Sequence, residues 1–227
     1  MLKSVAGKPV PFNPRHVAEP NVTRLSRRIG LRTIPSIGAK GCPSGEQVVN
    51  GGFETGDFTG WTKTGNANRW EVGTVGTDFG LVVGACSSPV TPEQGSYMAF
   101  FHSISTDPMP PKTITGTLQQ LFATPIPVAC FTDASFFSIQ TNWQGSGCPP
   151  EGLVVWQIEI LYTDGTSTIV DISGDPPCSW EDHDLKSVLE TGKTVKGIKI
   201  TATIFGWAFP RPYTEVYIDA CTLKCFI

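Results

Sequence analysis

Polar and apolar residues alternate with a period of two through much of the chain beyond its mid-forties. In Leu153–Ile160, Val154, Trp156, Ile158 and Ile160 fall on one side and Gln157 and Glu159 on the other. That is the pattern of a half-buried strand. Asp164-Gly165 follows, a dipeptide suited to a tight hairpin turn, and predicts a returning strand over Ser167–Ile172. A second clear run, Val195–Ile204, sets Ile198, Ile200, Ala202 and Ile204 inward. Further strands are expected over Gln47–Phe53, Trp70–Val75, Ser96–His102, Thr115–Phe122, Ser135–Gln140 and Glu215–Leu223. One short helix is expected over Asp184–Gly192, with Asp184 as N-cap and Gly192 as the C-terminal stop. This inventory predicts an all-β fold, two antiparallel sheets packed as a jelly-roll sandwich.

Composition sharpens that picture. Charged residues make up only 16% of the 227, while glycine (24) and proline (19) are abundant, as in strands joined by tight turns. Residues 1–44 contain Pro9, Pro11, Pro14, Pro20, Pro35 and Pro43. Each proline removes a backbone donor and disfavours helix in the residue before it. The chain therefore divides into an N-terminal arm, 1–44, and a sandwich domain, 45–227. Charge divides it too. Residues 1–40 hold eight basic residues against Glu19 alone, a balance of +7, which leaves −10 for the remainder and −3 overall. A basic arm on an acidic body suits an acidic partner, and a neighbouring copy of the same chain would serve.

Seven cysteines, Cys42, Cys86, Cys130, Cys148, Cys178, Cys221 and Cys225, suit an oxidising final location and lack the paired spacing of a zinc site. Their odd number leaves at least one thiol free or bonded to another chain; Cys42 and Cys225, near the two ends of the domain, are the candidates for a disulfide or an intersubunit bridge. The start of the chain lacks the apolar run of a secretory signal, and nothing in the chain is as long and apolar as a membrane-spanning helix. With Met1 at its head, the chain is expected to reach an extracellular site, or the surface of a cell, spore or virion, by another route.

The segment Val48-Val49-Asn50-Gly51-Gly52-Phe53-Glu54-Thr55-Gly56-Asp57-Phe58-Thr59-Gly60-Trp61 resembles the opening of bacterial jelly-roll modules, among them carbohydrate-binding modules and domains of surface and spore-coat proteins. Glu215–Leu223 resembles their closing strand, and the likeness covers roughly residues 46–224. It implies that the first and last strands are neighbours and that Glu54 and Asp219 sit where such modules hold a structural calcium ion, with carbonyls near Gly95 and Ser96 completing the shell. A pair of surface acids is the plainer alternative. Phe53, Phe58 and Trp61 are expected to close one end of the core. Gly51 and Gly52 are expected to take backbone geometry closed to other residues.

Catalytic signatures are lacking. No nucleophile elbow, zinc-protease helix or phosphate-binding glycine loop occurs, and the acids flanking His183 in Glu181-Asp182-His183-Asp184 point away from it in an extended chain. For stacking on sugar rings or on a partner subunit the loop aromatics Trp143, Trp207 and Tyr213 are the candidates. The chain thus reads as non-enzymatic. Its leading function is a structural subunit of an extracellular or particle-surface assembly, held by the N-terminal arm. The alternative is a carbohydrate-binding or adhesive module. Nucleic acid is a minor reading.

Overall fold

In a computed structural model of the chain, the residues described are 41–75, 90–102, 113–142, 154–173, 179–205 and 214–225. Among them are eleven strands: β1 (Gly45–Glu46), β2 (Thr62–Gly65), β3 (Trp70–Gly73), β4 (Met98–His102), β5 (Thr113–Pro127), β6 (Phe131–Asn142), β7 (Val154–Tyr162), β8 (Ser167–Asp171), β9 (Glu181–Asp184), β10 (Thr194–Phe205) and β11 (Thr214–Cys225). They form two sheets with every pairing antiparallel. Sheet A runs β3-β4-β11-β6-β9, with β1 added to the far end of β11; sheet B runs β2-β5-β10-β7-β8. The expected two-sheet sandwich is the observed fold.

The alternation written in the sequence becomes the core. Trp156, Ile158 and Ile160 of β7 and Ile198, Ile200, Ala202 and Ile204 of β10 are buried, facing Trp70, Phe101, Val216 and Ile218 of sheet A. The Trp70 and Trp156 rings meet across the sandwich at 6.1 Å. Gly116 of β5 lies beneath them. A Cβ there would stand 2.3 Å from the Phe101 ring and 2.8 Å from Trp70 Nε1. Gly116→Ala is therefore expected to cost about 1–3 kcal/mol through overpacking, read as a lower midpoint in urea at unchanged slope.

Three expectations are corrected. Asp184–Gly192 is not a helix: Glu181–Asp184 pairs with β6 as an edge strand, and only Lys186–Val188 forms a single 3₁₀ turn. Asp184 is not the N-cap, which is Leu185, but from one place before it the Asp184 carboxylate accepts the N–H groups of Lys186 and Ser187. Gln47–Phe53 is not a strand either, and β1 stops at Glu46. Its left-handed positions are Asn50 (φ 52°) and Phe53 (φ 56°), and neither Gly51 nor Gly52. Gly51 is required for another reason. Its missing Cβ would lie 1.9 Å from the Cys221 carbonyl oxygen, and Cys221 N–H donates to the Gly51 carbonyl at 3.0 Å.

Candidate functional site

The opening motif folds into a self-braced loop. Phe53 and Trp61 are buried with rings stacked at 5.8 Å, and Phe58 meets Phe53 edge-on. Asn50 ties the loop by donating to Thr55 and to the Asp57 carbonyl, while Trp61 Nε1 donates to the Asn50 carbonyl. The Gln120 amide of β5 takes the place of a partner strand, accepting from Val49 N–H at 2.7 Å and donating to its carbonyl at 2.9 Å.

This loop brings Glu54 beside the closing strand. Glu54 accepts the N–H groups of Ser96 and Tyr97, and Gly95 (φ +65°) leaves the space its carboxylate fills. On β11 a bulge at Ala220 (φ 47°) shifts the pairing with β6, so that Val216 and Ile218 before it and Cys221 and Leu223 after it all point inward. Asp219, just before the bulge, is wholly buried and accepts from Gln94 and Ala220 N–H. Burial, with the Glu54 charge adding to it, pushes the Asp219 carboxyl up to about 6, against the pull of those N–H groups. A shallow cavity of about 270 Å³ opens here, lined by Glu46, Glu54, Gly95 and Thr222 among others. The two acids present hard oxygen donors of the kind calcium takes. Glu46 lines the same cavity, but its carboxylate accepts the N–H groups of Val48 and Leu223, and among the described residues no three acids, histidines or cysteines gather as a metal site.

The two sheets differ on their outer faces. That of sheet A is closed: Met98, Phe100, Ile139, Tyr217 and Val90 form a second small core, with Trp180 against it. Polar groups are sealed in alongside. His102 Nε2 lies 3.0 Å from Glu71, and the Tyr217 hydroxyl donates to Glu215, burial being the chief reason its pKa is raised. His183 half-buries its ring on Phe136 and bonds Ser138, and burial lowers its pKa.

The outer face of sheet B is open. Register sets five side chains in one row across it, Thr64, Thr117, Thr201, Gln157 and Asp171. Beside it runs Thr62, Gln119, Lys199, Glu159 and Ile169, and on the other side Thr115, Thr203 and Val155. These positions are half-buried or exposed, whereas the residues alternating with them on the central strands are buried. Hydroxyls pair across strands, Thr64 with Thr117 and Thr115 with Thr203. The face holds one central ion pair, Lys199 with Glu159. Burial raises the Glu159 pKa, but hydrogen bonds from Lys199 and Ser167 outweigh it and hold the carboxyl below its usual range. Asp171 is turned to its own chain, accepting from Ser173. None of the face's described side chains is aromatic. The sequence signal for this face was Thr-x-Thr at 62/64, 115/117 and 201/203, which only strand register assembles into rows.

Trp143, Trp207 and Tyr213 lie outside the described residues, as does the arm over 1–40. Cys42 is bonded to Cys130 within the chain, the disulfide of the two alternatives expected for it and not the intersubunit bridge. Cys225 is a free thiol buried in the core, as is Cys221. It pairs with Gly45 on one side and Phe131 on the other, so it presents no sulfur to a second chain. No helix among the described residues is long and apolar enough to cross a membrane.

No family model and no curated protein matches the chain. Among solved structures it is similar to TmCBM61, determined in complex with β-1,4-galactotriose, at 18% identity and a TM-score of 0.47 over 79% of this chain and 98% of that one. It is also similar to the CBM22-1 xylan-binding domain of Paenibacillus barcinonensis Xyn10C, at 11% identity and a TM-score of 0.33 over 82% and 99%. A third similar structure is a Stig cyclase of Fischerella sp. TAU, at 12% identity and a TM-score of 0.39 over 81% and 99%.

Proposed function

We propose that the chain is a non-catalytic carbohydrate-binding module whose ligand lies on the outer face of sheet B. The observation that carries this is the chemistry of that face. Threonine hydroxyls and glutamine amides dominate it, groups that both donate and accept. Such groups match the hydroxyls of a sugar. The outer face of sheet A offers no comparable surface, being occupied by its own apolar cluster. An assembly role through the N-terminal arm has no support from the described residues, since Cys42 is bonded internally and Cys225 is buried. The internal disulfide fits an extracellular site. The test is retention of the full chain on immobilised neutral polysaccharides, with retention expected and with Thr117→Val/Thr201→Val expected to weaken it. Equal retention of the variant would contradict the placement of the site.

In the same reading a calcium ion held by Glu54 and Asp219 staples the first loop to the last strand and takes no part in binding. With chelator present, a folded-state pKa near 6, above the usual 3.8, means that the folded form disfavours ionised Asp219. Its contribution to stability is full below about pH 4 and is lost as pH rises through 6. Calcium at pH 7.5 is expected to raise Tm, and Asp219→Ala to abolish the rise. A Tm in the wild type that ignores calcium would remove the ion from the account.

A further inference from the structure

We infer that the ligand of this face is a neutral, extended glycan chain spanning several sugar units, held by rows of hydrogen bonds from threonine and glutamine side chains; this rests on the carbohydrate-binding reading above. Charge is the first argument. Lys199 and Glu159 neutralise each other at the centre of the grid, and Asp171 is engaged by Ser173. The face therefore keeps one net negative charge, that of Asp171, which disfavours an acidic or sulfated polymer.

Size is the second argument. Five strands at the ordinary spacing make the face about 19 Å wide, and three rows make it about 14 Å deep. One sugar ring would leave most of the hydroxyls unused, whereas an extended chain laid across the strands meets a Thr, Thr, Thr, Gln sequence at each strand in turn.

Preorganisation is the third. A hydroxyl carries one proton and two lone pairs, so the Thr64–Thr117 and Thr115–Thr203 bonds orient these groups while leaving acceptor capacity free. β-branched side chains have few rotamers to lose. Recognition by hydroxyl and amide rows has a thermodynamic consequence. Binding should be driven by enthalpy, with a small heat-capacity change, because little apolar area is buried.

The experiment is calorimetry of the full-length chain with neutral β-1,4-linked xylo-, galacto- and gluco-oligosaccharides of increasing length, and with oligogalacturonates as charged counterparts. Affinity for a neutral series is expected to climb with length until the face is covered and then level off, with the charged series unbound. Thr117→Val and Thr201→Val keep β-branching and remove one hydroxyl each; each is expected to lower affinity about tenfold, while Val75→Ala beyond the end of β3 leaves it unchanged. Binding at full strength by both threonine variants, or equal affinity for a single sugar and the long oligomers, would overturn the inference while leaving carbohydrate binding intact. Failure of every glycan to bind would instead overturn the carbohydrate-binding reading, and this inference with it.

Discussion

Replacing Cys42→Ser, or reducing the Cys42–Cys130 bond, is expected to lower the unfolding free energy by roughly 3–5 kcal/mol. The bridge spans a sequence separation of 88 residues, and chain entropy makes a loop of that length worth close to the upper end of the disulfide range. A domain of this kind has only about 5–15 kcal/mol in all, so the loss is a large share. It also has a local component. Cys42 leads into β1, whose two residues, Gly45 and Glu46, pair with the end of β11, and so few ladder bonds hold little without the covalent tie. Urea unfolding with and without a phosphine reductant measures the effect. A midpoint that does not move would mean that the bridge constrains nothing the fold does not already fix.

Gly51→Ala is the second large effect. The added carbon would sit 1.9 Å from a backbone oxygen, that of Cys221, so no rotamer change relieves the clash. Either the opening loop lifts from β11, breaking the Cys221 N–H bond to Gly51, or the bulge beside Asp219 is displaced. The expected loss is about 3 kcal/mol or more. Gly52→Ala supplies the contrast. Its nearest neighbours would be Asp219 Oδ1 at 3.6 Å and the Glu54 side chain at 3.7 Å, ordinary contact, so a loss under about 1 kcal/mol is expected. Similar thermal midpoints for the two variants would refute the close-approach explanation of the Gly-Gly pair.

Much of the fold could be read from alternation because both central strands of sheet B bury every second residue. Trp156, Ile158 and Ile160 on β7, and Ile198, Ile200, Ala202 and Ile204 on β10, are all inward as the pattern requires. The misreadings have local causes. Leu185 and Leu189 stand four apart and look like a helix face, yet Leu185 N–H is claimed by the Ala134 carbonyl, and the chain before it is claimed by β6. One turn is all that remains between two strands. Gln47–Phe53 has strand-like residues, but the left-handed Asn50 and Phe53 turn it into a loop against β11. The disulfide could be read only at one end, since nothing in the sequence singles out Cys130 as the partner of Cys42. Cys42 and Cys130 come together because Gly45 and Phe131 both lie beside Cys225, a coincidence of two registers. The threonine grid was written in plain sight as Thr-x-Thr, but its meaning needed Thr64, Thr117 and Thr201 to fall level on neighbouring strands.

Backbone amide chemical shifts, followed as a neutral β-1,4-linked oligosaccharide is titrated into the full-length protein, test the location of the site most directly. The account predicts that the largest shifts fall on β5, β10 and β7 at Thr115, Thr117, Thr201, Thr203 and Gln157, with little change at Phe100, Ile139 or Tyr217 on sheet A. Shifts that spare the threonine rows and gather on sheet A or around Glu54 and Asp219 would contradict it.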